Sequence, residues 1–151
     1  MLREAITDRM KTALRAKDTR TLSTVRLIMA ALKDRDIAAR SDGNKAEIPD
    51  PEILRMLQGM VKQRRESIAL YQQGNRPELA EREAEEITVI ESFLPRQMDE
   101  AGIEAAAKAA IAESGAAGIK DMGKVMAALR ERHAGVIDLA RAGATVKRLL
   151  G

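Results

Sequence analysis

Four carboxylates, Glu81, Glu83, Glu85 and Glu86, crowd one short stretch of this chain. Carboxylates facing inward in a helical protein can hold a pair of metal ions, but such a centre also needs histidines one turn from two of them. His133 is the only histidine, so that centre cannot form and the acidic run reads as a solvated face. His133 falls near the inward side of its own helix and reads as a packed side chain rather than a proton carrier. There are no cysteines, which removes disulfides, thiolate metal sites and thiol catalysis together. Neither G-x-x-x-x-G-K-[ST] nor G-x-G-x-x-G is present to cradle phosphates, and no G-x-S-x-G raises a serine for attack. The residues thus imply no metal, no cofactor and no catalytic group.

The basic residues are more informative. Lys62-Gln63-Arg64-Arg65 looks like a nucleic-acid patch, yet at 100° per residue Lys62 points outward, Arg65 lies at an edge and Arg64 falls inside an apolar stripe. An unpaired guanidinium there would carry a large desolvation cost, and Glu83 occupies the matching misfit position on the following helix. The expectation is a buried Arg64–Glu83 pair that fixes helix register, with Arg26 joining it from the edge of an earlier seam. On that reading Glu83→Ala costs about 3–5 kcal/mol. Near the C-terminus, Lys120, Lys124, Arg141 and Arg148 point outward and, with Lys147, form a candidate surface for an RNA backbone. Charge follows the same division. Residues 1–72 hold 15 Lys/Arg against 10 Asp/Glu, residues 73–114 hold 4 against 10, and residues 115–151 hold 7 against 3. The blocks either attract one another within the fold or meet an outside anion.

Helices must position these groups. Leu2, Ile6, Met10, Ala13 and Leu14 recur at helical spacing to about Lys17, and Asp18 or Thr19 caps a second helix whose seam is Leu22, Val25, Met29 and Leu32. A loop follows, with Gly43 and Asn44 tolerant of positive φ. Asp50 and Pro51 read as N-cap and first residue of a third helix carrying Ile53, Leu57, Met60, Val61, Ile68 and Tyr71 and ended by Gly74. Pro77 opens a fourth, antiparallel helix with Leu79, Ile87, Ile90 and Leu94 on one stripe, and Pro95 is a domain boundary. Beyond it Asp99, Asp121 and Asp138 cap three shorter helices, the first ended by Gly115 and Gly118 and the second by Gly135. The predicted architecture is all-α: a four-helix bundle over residues 1–94 and a three-helix tail over residues 95–151.

Composition agrees with that. Of 151 residues 45% are hydrophobic but only 1% aromatic, so the core is aliphatic, which favours helix on helix. No apolar run reaches the length of a membrane span, and MLREAITDRM carries acids where a signal peptide carries an apolar core, so the cytoplasm is the expected compartment.

Several of these residues also carry a resemblance. Leu22-Ser23-Thr24-Val25-Arg26, Lys62-Gln63-Arg64-Arg65, Glu83 with Glu86, Phe93-Leu94-Pro95 and above all Lys120-Asp121-Met122-Gly123-Lys124-Val125-Met126 resemble the YqeY-like proteins over nearly the whole chain. That family is similar to the C-terminal helical and tail region of GatB, a component of the tRNA-dependent amidotransferase. The resemblance implies tRNA as ligand and a family label of carbon–nitrogen ligase with glutamine as amido-N donor. Activating a carboxylate needs ATP, for which this chain has no phosphate loop, so the resemblance points to a non-catalytic tRNA-binding module. An adaptor docking on a protein complex of the translation machinery is the alternative, and an amidotransferase-type enzyme the third. His133-Ala134-Gly135-Val136-Ile137-Asp138 stands where some relatives carry Lys-Gly-Arg, which thins the basic surface.

Overall fold

The computed structural model describes residues 1–43 and 46–151, and among them it contains seven α-helices, one 3-10 turn and no strand. The fold is all-α. The chain divides into two compact units, Met1–Leu94 and Pro95–Gly151.

The first unit opens with α1 (Leu2–Arg15), which buries Ile6 and Ala13. Leu14, expected on the same stripe, is turned a further 100° and stays 56% exposed. Lys17 adopts φ 57°, which brings the Asp18 N–H back to the Ala13 carbonyl at 2.9 Å. Asp18 rather than Thr19 then caps α2 (Thr19–Ser41), its carboxylate accepting from Thr21 N–H at 3.1 Å. The buried face of α2 is Thr24, Val25, Ile28 and Leu32. It is turned toward Ile28 from the predicted seam, leaving Leu22 and Met29 half-buried. Gly43 takes the positive φ expected of it, at 88°, whereas Asn44 lies outside the described residues.

α3 (Asp50–Gln73) begins one residue earlier than predicted: Pro49 is the N-cap, Asp50 is the first helical residue, and Pro51 stands at the second. The first four N–H groups of any helix lack partners, so proline is tolerated at either position. Ile53, Met56, Leu57 and Val61 are buried, and Tyr71 is half-buried in the last turn. The left-handed residue of the link is Asn75 (φ 56°) rather than Gly74, and it returns the Arg76 N–H to the Tyr71 carbonyl at 2.8 Å. α4 (Pro77–Glu91) then packs back along α3, burying Ala80 and Ile90, and ends at Ser92 before Pro95 is reached. α1 packs on α2, and α2 touches both α3 and α4. The common core is Ile6, Val25, Ile28, Leu32, Ile48, Ile53, Met56, Leu57, Val61 and Ile90. Each fully buried isoleucine or leucine contributes about 1.5–3 kcal/mol.

Gly59 interrupts α3 without a packing reason, since a methyl group placed on it would meet no atom within 4 Å. Gly59→Ala is therefore expected to stabilise the protein by about 0.5–1 kcal/mol, through the backbone freedom alanine removes from the unfolded chain. Thermal unfolding should show a midpoint raised by about 2–4 °C. A lowered midpoint would contradict the open environment of this position.

In the second unit Asp99 caps α5 (Glu100–Ser114), accepting from Gly102 N–H at 2.8 Å, and Gly115 (φ 68°) closes it. A 3-10 turn, Ile119–Asp121, leads into α6 (Met122–Arg132). Asp121 was expected to cap this helix, but its carboxylate accepts from Ala117 N–H at 3.1 Å, because the turn already starts the helix through Asp121 N–H to Gly118 O at 3.0 Å. α6 ends at the half-buried His133, two residues before Gly135, which takes φ 80° in the following turn. Asp138 caps α7 (Leu139–Leu150), accepting from Ala140 and Arg141 N–H at 3.0 and 3.2 Å. α5 packs on both α6 and α7, and the core is Ile103, Ala107, Ala110, Val125, Leu129, Ile137, Ala142 and Val146. Its alanines let the helix axes approach closely. Among the described residues no helix is long and apolar enough to cross a membrane.

Candidate nucleic-acid interface and polar clusters

Three polar groupings stand out, two in the first unit and one in the second. The first is organised by Arg64, whose side chain is 13% exposed between α3 and α4. Its Nε donates to Glu86 Oε2 at 2.9 Å, and a terminal nitrogen donates to the Met60 carbonyl at 3.3 Å. Glu83, the expected partner, stands at 3.9 Å. The pair is thus a triad led by Glu86, because Glu86 and not Glu83 falls directly across from Arg64 on the returning helix. Burial, and then the neighbouring Glu86 charge, push the Glu83 carboxyl above its usual range, opposed by Arg64 and Arg82. Arg26 does not join. It is exposed, on a side of α2 turned away from the buried face, and has no ion-pair partner among the described residues. The acidic run is a solvated face only in part: Glu81 is exposed and the Glu85 side chain is 41% exposed, held at the surface by Arg20 through two bonds of 2.7 and 2.6 Å, whereas Glu83 and Glu86 are turned inward.

The second grouping was not read from the sequence. Arg3 on α1 grips Asp36 on α2 through two hydrogen bonds of 2.9 and 2.7 Å, and also donates to the Ile48 carbonyl at 3.0 Å. Asp36 accepts in turn from Ile48 N–H at 3.0 Å. One carboxylate therefore ties α1, α2 and the segment entering α3. The Arg3 hydrogen bond holds the Asp36 carboxyl below its usual range, and the same bond raises Arg3. The signal was present, because Asp36 lies eleven residues after Val25 and so within about 20° of it on the helix, a charge inside an apolar stripe.

The third grouping is the set of candidate RNA contacts. Lys120, Lys124, Arg141, Lys147 and Arg148 are all exposed, but they are not equivalent. Arg141 is paired with Glu100 at 3.1 Å and Arg148 with Glu104 at 3.5 Å, both acids on α5. Lys120, Lys124 and Lys147 have no acid within ion-pair distance among the described residues. A methyl group on Gly143 would lie 3.7 Å from the Met122 side chain, and one on Gly151 would lie 3.5 Å from that of Ile119. Gly143, Lys147 and Gly151 share one ridge of α7, so Lys147 is brought to the edge that α7 shares with residues 119–126. The backbone around Lys147 therefore runs beside the segment that carries Lys120 and Lys124. Gly118 and Gly123 bracket Lys120, and a methyl group on either would meet no neighbouring side chain within 4 Å.

Against known families the chain matches the Yqey-like protein family over residues 3–150, which is nearly all of it. The chain belongs to the YqeY-like family. Curated relatives include "Altered inheritance of mitochondria protein 41, mitochondrial" of Kluyveromyces lactis, 27% identical over 59% of this chain and 46% of that protein. The protein of the same name from Vanderwaltozyma polyspora is 27% identical over 56% of this chain and 44% of its own. This YqeY-like chain thus spans less than half the length of the curated relatives it matches. Both relatives are named as mitochondrial, which does not support the cytoplasmic placement expected above.

Proposed function

We propose that this YqeY-like protein is a non-catalytic tRNA-binding module, built as a four-helix bundle over residues 1–94 with a three-helix RNA-contacting tail over residues 95–151. The observation that carries the reading is that Lys120, Lys124 and Lys147 stand exposed without acid partners among the described residues, the first two flanked by glycines against which no side chain packs. Phosphates are bound through such charges, and glycine without a neighbour lets a sugar–phosphate chain come within hydrogen-bond reach of the backbone. Arg141 and Arg148 are secondary contacts on this reading, because each must first leave its α5 glutamate. The resemblance to the GatB tail supplies tRNA as the RNA class. Catalysis is left to other proteins, since the chain has no phosphate loop and no nucleophile motif.

Titration of the full chain with tRNA, and with duplex DNA of matched charge, at two salt concentrations tests this. Three lysine–phosphate contacts give a salt slope of roughly −2 to −3, about a tenfold loss of affinity for a threefold rise in salt. Lys120→Glu with Lys124→Glu should flatten that slope, while Arg141→Ala should change it less. Gly123→Ala should stabilise α6 by about 0.5–1 kcal/mol and still weaken tRNA binding, a combination a purely structural glycine does not give. Equal affinity for duplex DNA, or an unaltered slope in the lysine variant, would sink the reading. Glutaminase activity of the isolated chain would overturn its non-catalytic part.

A further inference from the structure

α2 is apolar on two opposite sides. The inner side, Val25, Ile28 and Leu32, is buried in the core of the first unit, yet on the outer side Leu27 and Ile37 remain 46% and 49% exposed. Ala30 and Asp34 lie between them and are exposed as well. Positions 27, 30, 34 and 37 follow the alternating three- and four-residue spacing of a seam that packs against another helix. One flank of that seam is occupied at seven-residue intervals by Arg26, Lys33 and Arg40, about 10.5 Å apart along the axis. All three are exposed, and none lies within ion-pair distance of an acid among the described residues. At the N-terminal end of this face Thr19, Leu22, Ser23, Arg26 and Leu27 line a shallow, open depression.

We propose that the outer face of α2 docks an amphipathic helix of a partner protein. That helix carries an apolar stripe for Leu27, Ala30 and Ile37, acids along the edge that meets Arg26, Lys33 and Arg40, and a cation opposite Asp34. Charge complementarity selects this occupant over a second copy of the chain. Of the six acids of α4, a second copy would offer only Glu81 unengaged against the three cations here, since Glu78 is held by Arg76, Glu83 and Glu86 by Arg64, Glu85 by Arg20 and Glu91 by Arg65. The half-exposed aliphatics select it over nucleic acid, which would use the cations alone and stack its bases on aromatics that this face lacks. Isolated exposed leucines are ordinary on protein surfaces, but a heptad register with a continuous basic flank is not explained by anything in the first unit.

The full chain should be titrated with three synthetic peptides about three heptads long. The first has leucines at seam positions and glutamates on the flanks, the second lysines for those glutamates, and the third the composition of the first without helical periodicity. The acidic amphipathic peptide should bind, with the other two at least tenfold weaker. Arg26→Glu with Lys33→Glu, and separately Leu27→Ser with Ile37→Ser, should each weaken it about tenfold while circular dichroism stays unchanged, and Lys120→Glu with Lys124→Glu should not affect it. Should the reversals unfold the protein, Arg26→Gln with Lys33→Gln gives the same reading at smaller amplitude. Equal binding of the aperiodic peptide, or none at millimolar concentration, overturns the proposal. So does tRNA that competes with the peptide and loses affinity in the Arg26 and Lys33 variant, which would make the face a phosphate surface. Self-association abolished by Leu27→Ser would assign the seam to a second copy instead and likewise overturn it.

Discussion

Asp36→Ala is expected to destabilise the first unit by about 2–4 kcal/mol, the range for removing one partner from a largely buried, hydrogen-bonded charge pair. The substitution leaves Arg3, 25% exposed, without its bidentate acceptor, and it orphans the N–H of Ile48, a residue only 4% exposed. Chemical denaturation should show a lower midpoint with an unchanged slope. Asp36→Asn should recover part of the loss, because its amide oxygen can still accept from Ile48. The pH dependence has a definite sign. The folded-state carboxyl titrates below its usual range, so its stabilisation is complete above the ordinary carboxylate value and is lost as pH falls through the lowered folded one. The alanine variant should lack that acid-side loss. A variant as stable as the parent would show that the cluster orders the loop without holding it.

Arg64→Ala should cost a similar amount, about 2–4 kcal/mol, because it leaves Glu86 and Glu83, 20% and 23% exposed, facing each other with no cation between them. Glu83→Ala, by contrast, should be close to neutral at pH 7. This reverses the expectation from sequence, since Arg64 keeps its 2.9 Å bond to Glu86 when Glu83 is gone. Glu83 acts on stability in the sense opposite to Asp36. Its folded-state carboxyl titrates above the ordinary value, so stability falls as pH rises from the ordinary value through the raised one, and Glu83→Gln should abolish that fall. Melting temperatures of parent and Glu83→Gln that run parallel across this window would contradict the triad.

The all-helical fold was legible because its signals are local: an aliphatic composition, helical spacing, and Asp18, Asp99 and Asp138 as caps. What escaped was decided by contacts between helices. Rotation of α2 toward Ile28 depends on what α1, α3 and α4 present to it, and no wheel drawn on α2 alone supplies that. Arg64 was correctly singled out as a misfit, yet Glu83 and Glu86 sit one turn apart on α4 and the choice between them rests on the phase at which α4 returns along α3. Asp36 carried the same kind of signal as Glu83 but had no visible partner, since Arg3 lies 33 residues away in a helix read for its apolar face. In the candidate RNA surface, the exposure of Lys120, Lys124, Arg141 and Arg148 could be read from helical phase. That Arg141 and Arg148 are held by Glu100 and Glu104 could not, because the packing of α7 on α5 sets it.

The sequence distances of these ties also order them in time. Arg64 and Glu86 are 22 residues apart and joined by a tight link, whereas Arg3 reaches Ile48 across 45. Closing the longer loop costs only about 0.6 kcal/mol more by length alone, but it also requires α1 and α2 to be already docked on each other. The α3–α4 hairpin should therefore assemble before the rate-limiting barrier and the Arg3–Asp36–Ile48 knot after it. In a chevron plot Arg64→Ala then slows folding, while Asp36→Ala leaves the folding arm in place and speeds unfolding. On that order the unfolding rate, and with it the lifetime of the folded unit, is expected to follow the knot.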